Sequence, residues 1–126
     1  MNAMARPQTV LIVEDDGDIG EVMTVLVQQQ GYLGIAVTTA TEALDLLQRI
    51  EACIILLDIA MPDMDGYEFR RQQLADARIA HIPVVVVSAT GLGDEAKARA
   101  MGMRFFRKPV VDFDLLLDAI REYCGP

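Results

Sequence analysis

Four short aliphatic or aromatic runs, each stopped abruptly by a polar group, set the rhythm of this chain. Val10-Leu11-Ile12-Val13 ends at Glu14-Asp15-Asp16, and Cys53-Ile54-Ile55-Leu56-Leu57 ends at Asp58. Val84-Val85-Val86-Val87 ends at Ser88, and the shorter Phe105-Phe106 is followed by Arg107-Lys108-Pro109. Runs that are apolar at every position, rather than at alternate ones, read as strands buried on both faces. The spacing predicts strands over 9–13, 53–57, 83–88 and 104–106, with a weaker one over 32–37.

Between these strands the apolar period lengthens to that of helices. Ile19, Val22, Met23, Leu26 and Val27 follow the 3, 4 spacing of one buried face, predicting a helix from Asp18 to Gln30. Asp18 and Glu21 have the spacing of a capping box, and Gly31 reads as its stop. Thr39 and Glu42 open a second helix, with Ala43, Leu44, Leu46, Leu47 and Ile50 turned inward. A third spans 66–75 after the turn-forming Met61-Pro62-Asp63-Met64-Asp65-Gly66. A fourth, over 93–101, follows Gly91 and is closed by Gly102. The last spans 112–123, with Leu115, Leu116, Ala119, Ile120 and Tyr123 as its inner stripe.

Five alternations of strand and helix predict an α/β fold, a parallel sheet with right-handed crossovers. Five strands favour the doubly wound, flavodoxin-like order 2-1-3-4-5, whose switch point lies between the first and third strands. Ligands in such folds bind outside the carboxyl ends of the strands. Glu14, Asp15 and Asp58 follow those two strands.

Composition narrows the function. The 126 residues are 52% hydrophobic with mean hydropathy +0.28, as expected of one folded domain. A net charge of −8 argues against nucleic acid, whose phosphates demand a basic face. No apolar stretch reaches the roughly 18 residues needed to span a bilayer, and the first residues carry no apolar core of a secretory signal. Cys53 and Cys124 lack metal-ligand spacing and read as buried or incidental thiols of a reducing compartment, so a cytoplasmic domain is expected.

The strand ends carry the chemistry. Two carboxylates about 4 Å apart repel by about 4 kcal/mol at an effective dielectric near 20, so Glu14, Asp15 and Asp58 together call for a cation. Oxygen-only ligands in an open cleft suit Mg²⁺. Attack by Asp58 on a phosphoryl donor requires charge on the transferring oxygens to be neutralised, and the Lys108 ammonium and Ser88 hydroxyl are suited to share that task.

On these residues the chain resembles the receiver domain of bacterial two-component response regulators of the chemotaxis-regulator type, from Thr9 to Tyr123. The matching positions are Glu14-Asp15, Asp58 with Met61-Pro62 and Asp65-Gly66, Ser88-Ala89 and Lys108-Pro109. The resemblance implies a receiver over residues 9–126 behind a tail of residues 1–8, with Asp58 as phosphoacceptor. It implies that Asp15, Asp58 and the backbone carbonyl of Ala60 bind Mg²⁺ directly, with Glu14 acting through water. Ser88 would bond the phosphoryl oxygen, Lys108 would pair with it, and the Lys108-Pro109 bond would be cis. Phe105 falls at the switch aromatic, so Ser88 and Phe105 form the expected switch. Ala60 and Thr90 are small where many relatives differ, which leaves the dephosphorylation rate open. A histidine kinase or histidine phosphotransfer protein would supply the phosphoryl group. A downstream protein would read the face of the fourth helix, fifth strand and fifth helix; no nucleic acid and no membrane enter. The domain would assist its own Mg-dependent phosphorylation and dephosphorylation rather than act as an enzyme.

Two alternatives differ in class. An aspartyl-phosphate phosphatase usually carries a second acid two residues after its nucleophile, where this chain has Ala60, and needs a cap domain. A degenerate receiver used as a binding scaffold has no need of the complete set of acids, hydroxyl and lysine. His81 reads as an ordinary loop residue, the methionines as core fillers, and Arg70-Arg71 as a solvated helix face.

Overall fold

Strands that are apolar on both sides need a helical layer on each, and the observed fold supplies both. In the computed structural model the chain runs β1 (Thr9–Val13), α1 (Gly17–Gln29), β2 (Leu33–Val37), α2 (Ala40–Leu46) and β3 (Ile54–Leu57). It continues through α3 (Gly66–Ala75), β4 (Val84–Ser88), α4 (Leu92–Ala100), β5 (Arg104–Arg107) and α5 (Phe113–Cys124). The structure describes residues 8–89, 92–108 and 113–126. The expected features at Thr90, Gly91 and the Lys108-Pro109 bond, and the tail up to residue 7, lie outside the described residues.

All strand pairs are parallel and the order is β2-β1-β3-β4-β5, as the alternation predicts. Side chains alternate across each strand, so the core divides in two. Leu11, Val13, Ile55, Leu57, Val84 and Val86 face α2, α3 and α4, meeting Ala40, Ala43, Phe69 and Ala98. Val10, Ile12, Ile54, Leu56, Val85 and Val87 face α1 and α5, meeting Met23, Val27, Leu116 and Ile120. Of the methionines singled out, Met61 and Met103 are buried, and Met64 and Met101 pack against the first cluster, the filling role expected of them.

Several local expectations need correction. Asp16, not Asp18, caps α1, accepting from the amides of Asp18 and Ile19. Gly31 does end that helix, at φ +93°. The inner row of α1 is narrower than expected: Gly20, Met23 and Val27 are buried, while Ile19 and Val22 are exposed. A helix laid on a sheet touches it by one row, and the surplus residues Ile19, Val22 and Leu26 instead line a groove shared with Phe113 and Leu116 of α5. Helix α2 stops at Leu46, short of Ile50, because the next amides tighten to three-residue bonds from Gln48 to Asp45 and from Arg49 to Leu46. In α5 the buried row is Leu116, Leu117, Ala119, Ile120 and Cys124, while Leu115 and Tyr123 are exposed. Three consecutive leucines allow two helical phases, and the core selects the one that buries Cys124.

Arg70 is not on a solvated face. It is 8% exposed, donating from Nε to the Met101 carbonyl and from Nη1 to Gln73 Oε1. Gln73 in turn donates to the carbonyls of Ile79 and Ile82, so these two side chains bind α3 to the end of α4 and to its own exit loop. Arg71 is exposed and pairs with Glu68, as expected.

The two cysteines are not separate thiols. They form a disulfide across 71 residues of sequence, with Cα atoms 5.3 Å apart. Cys53 precedes β3 and Cys124 ends α5; because α5 runs back against the strand direction, both lie at the sheet end opposite Asp58. Chain topology brings them together, which their spacing alone does not reveal.

Candidate functional site

The backbone ladder continues past the ends of the strands and fixes the site residues. The Glu14 amide donates to the Val37 carbonyl, the Asp58 amide to Val13, and the Lys108 amide to Ser88, each at 3.0 Å. Side chains from β1, β3, β4 and β5 are thereby brought to one edge of the sheet.

Asp58, 7% exposed, lies at the centre. Its Oδ1 accepts from Ser88 Oγ at 3.0 Å and from the Ala60 amide at 3.0 Å; its Oδ2 accepts from Lys108 Nζ at 2.9 Å. Lys108 also pairs with Glu14 Oε1, while Glu14 Oε2 accepts from the Asp16 amide. Burial holds the Glu14 carboxyl above the usual carboxylate range, in spite of Lys108. Burial alone would lower Lys108, but its bonds to Glu14 and Asp58 outweigh this and hold the ammonium above its ordinary value. Glu14, Asp15 and Asp58 each present a carboxylate oxygen within 4.8 Å of the others, with Asp15 on the exposed side.

The loop after Asp58 is held from three sides. The Gly66 amide donates to the Ile59 carbonyl, and Asp65 caps α3 through the Glu68 amide. A Cβ at Gly66 would lie 2.8 Å from Ile59 Cα, so the start of α3 approaches the loop more closely than any other residue allows. Asp63 reaches across to α2, accepting from the amides of Ala40 and Thr41 and, at 2.5 Å, from the Thr41 hydroxyl. In the sequence Asp63 reads only as part of a turn, since nothing in its spacing points 22 residues back to Thr41.

The Thr41 hydroxyl, with the Thr41 and Ala40 amides, holds the Asp63 carboxyl below the usual aspartate range. A depressed carboxyl contributes fully above its unfolded value of about 4 and loses its contribution as the pH falls through the lower, folded value. The protection factors of the Ala40 and Thr41 amides, with exchange rates referred to their intrinsic values at each pH, should therefore fall only at acid pH. A fall already at pH 6 would contradict this fastening.

Phe105 is buried in the cluster beneath α3 and α4. It pairs with Val86 in the β4–β5 register, and Ser88 lies two residues beyond Val86, so both expected switch residues share one face of the sheet. The sequence-predicted set of Glu14, Asp15, Asp58, Ser88 and Lys108 thus converges, with the Ala60 amide on Asp58. His81 is exposed at the opposite end of the sheet, away from this cluster.

Comparison with known proteins bears on the family and the fold. The family model for the response regulator receiver domain matches residues 10–121. The polar-differentiation response regulator DivK of Brucella anthropi is 31% identical over 120 residues, covering 94% of this chain and 98% of that protein. A sensor protein from Polaromonas sp. JS666 superposes with a TM-score of 0.85 at 26% identity, covering 95% of this chain and 97% of that one. The receiver domain of a sensor histidine kinase from Pseudomonas aeruginosa, solved with a magnesium ion in its active site cleft, has a TM-score of 0.84 at 24% identity, over 96% of this chain and all (100%) of that one.

Proposed function

The chain belongs to the response regulator receiver domain family, and on that premise we propose that Asp58 takes a phosphoryl group from the phosphohistidine of a histidine kinase or histidine phosphotransfer protein. The observation that carries this reading is the meeting of a hydroxyl, an ammonium and two further acids around one carboxylate at the switch point of the sheet. In the transfer an Asp58 oxygen bonds to phosphorus as the nitrogen–phosphorus bond breaks, and the imidazole leaves with the electron pair. Ser88 Oγ and Lys108 Nζ, both already bonded to Asp58, donate to the oxygens of the incoming group and stabilise the charge that develops there.

The donor set fits magnesium, being all oxygen, clustered and open on the Asp15 side. Asp15, Asp58 and the Ala60 backbone carbonyl would hold the ion directly, and Glu14 through water. When bound, it supplies positive charge against the transferring oxygens. Asp15→Ala should weaken Mg²⁺ binding by about 10-fold or more, and Glu14→Ala by less; calorimetric titration distinguishes the two, and the reverse order would refute this ligand assignment.

Ser88 and Phe105 complete the reading as the switch. An aspartyl phosphate adds about two negative charges and draws on the Ser88 hydroxyl, on the same sheet face as Phe105 beneath α4. The face of α4, β5 and α5 then presents the signal to a downstream protein. The domain is a phosphoacceptor that assists its own Mg-dependent phosphorylation and dephosphorylation, placed in the cytoplasm with its kinase. No helix among the described residues is long and apolar enough to cross a membrane. The phosphatase alternative gains nothing here, because Ala60 stands where its second acid belongs. Intact mass after incubation with acetyl phosphate tests the reading: a gain of one phosphoryl group with Mg²⁺ and none with excess chelator is expected, and an equal gain in both would overturn it.

A further inference from the structure

We propose that the Cys53–Cys124 disulfide is a reversible redox site, a second input to this domain, which exchanges with a small-molecule thiol–disulfide couple and sets how firmly the end of α5 is tied to the sheet. Three observations converge on it. The first is access: Cys124 is buried, whereas Cys53 is only partly buried and lines a cleft of about 510 Å³ at the sheet end opposite Asp58. Gln8, Arg49, Arg78 and His81 give that cleft a polar wall open to water, so a small hydrophilic thiol can reach Cys53. The second is that the reduced state is provided for. The Thr9 carbonyl oxygen lies 3.2 Å from Cys53 Sγ, ready to accept from a Cys53 thiol, and Cys124 belongs to the apolar cluster of α1 and α5, where a buried thiol is at ease.

The third is that α5 does not depend on the covalent link to stay folded. Leu116, Leu117 and Ile120 hold it in the core, the Tyr32 hydroxyl donates to the Gly125 carbonyl, and Arg121 donates to Gln30 Oε1. Opening the disulfide therefore loosens the last turn without detaching the helix. A disulfide in a cytoplasmic protein is usually transient and redox-sensing; that part rests on the location proposed above, while the exchange chemistry does not.

The exchange balances as follows. A thiolate attacks Cys53 Sγ, forming a mixed disulfide and expelling Cys124 as a thiolate, which takes a proton. A second thiolate attacks the small-molecule sulfur of that mixed disulfide, releasing one small-molecule disulfide and Cys53 as a thiolate, which takes a proton in turn. The protein gains two electrons and two protons, and two small thiols are oxidised; the oxidised couple drives the reverse.

The full chain, titrated with reduced and oxidised glutathione under native conditions, tests this. The fraction of disulfide should follow the glutathione ratio reversibly, and amides 121–124 should exchange about tenfold faster in the reduced form while β1 is unchanged. Oxidised glutathione should leave a stable mixed disulfide on Cys124→Ser, which keeps the accessible Cys53, and none on Cys53→Ser. A wild-type disulfide that resists reduced glutathione until urea is added, unchanged exchange at 121–124, or equal trapping on both variants would overturn the proposal. The wild-type titration decides the matter if either variant fails to fold. Because none of these readouts involves phosphate, failure here is distinguishable from failure of the phosphoacceptor reading.

Discussion

Asp58→Asn is expected to gain no phosphoryl group from acetyl phosphate and Mg²⁺, under conditions where the wild type is fully labelled. The side chain keeps its size, and its carbonyl still accepts from Ser88 and Ala60, so the fold should survive. What disappears is the anionic oxygen that bonds to phosphorus, together with one of the three carboxylates that call for a metal. Both losses act in the same direction, and no neighbouring acid is expected to take over: Glu14 is buried against Lys108, and Asp15 lies on the exposed side of the cluster. Intact mass reads the result, and full labelling of the variant would move the acceptor elsewhere.

Lys108→Met should damage both stability and transfer. The ammonium is the shared counter-charge of Glu14 and Asp58, whose side chains are 3% and 9% exposed. Removing one partner of a buried ionic cluster costs about 3 kcal/mol, because the remaining charge is left uncompensated. Transfer should slow by about 10²–10³-fold, the usual cost of losing a donor aimed at a developing oxyanion. The stability deficit carries a pH signature. Glu14 already sits above its ordinary value of 4.5 through burial, and without Lys108 it rises further. A folded carboxyl raised in this way loses stability as the pH climbs from the ordinary value through the raised one, so the deficit should be small near pH 4 and grow as the pH rises. Mg²⁺ should restore part of it by replacing the missing positive charge. Urea midpoints that match the wild type at neutral pH without metal would contradict this role for Lys108.

Much of the site was legible in the sequence because its logic is one-dimensional. Each functional side chain stands at the end of an apolar run, and the alternation of strand and helix forces the runs parallel, so Glu14, Asp58, Ser88 and Lys108 had to meet at one edge. The strand order followed from the same alternation. What stayed hidden depends on which row of a helix faces inward or on contacts between distant segments. Three consecutive leucines at 115–117 gave α5 two possible phases, and only the buried Cys124 settles which is used. Arg70 looked like half of a solvated pair, yet Gln73 and the Met101 carbonyl lie where a buried guanidinium needs acceptors. Asp63 reads as turn chemistry until the start of α2 is seen beside it. Cys53 and Cys124 have unremarkable spacing because their meeting depends on the direction in which α5 returns along the sheet.

Chemical trapping locates the acceptor most directly. Borohydride reduces an acyl phosphate at aspartate to the alcohol, converting that residue to homoserine. After phosphorylation with acetyl phosphate and Mg²⁺, reduction and peptide mapping should find homoserine at position 58 alone, and none when a chelator is present throughout. Homoserine at position 15, or a phosphorylated protein that yields no homoserine at all, would contradict a phosphoacceptor at Asp58.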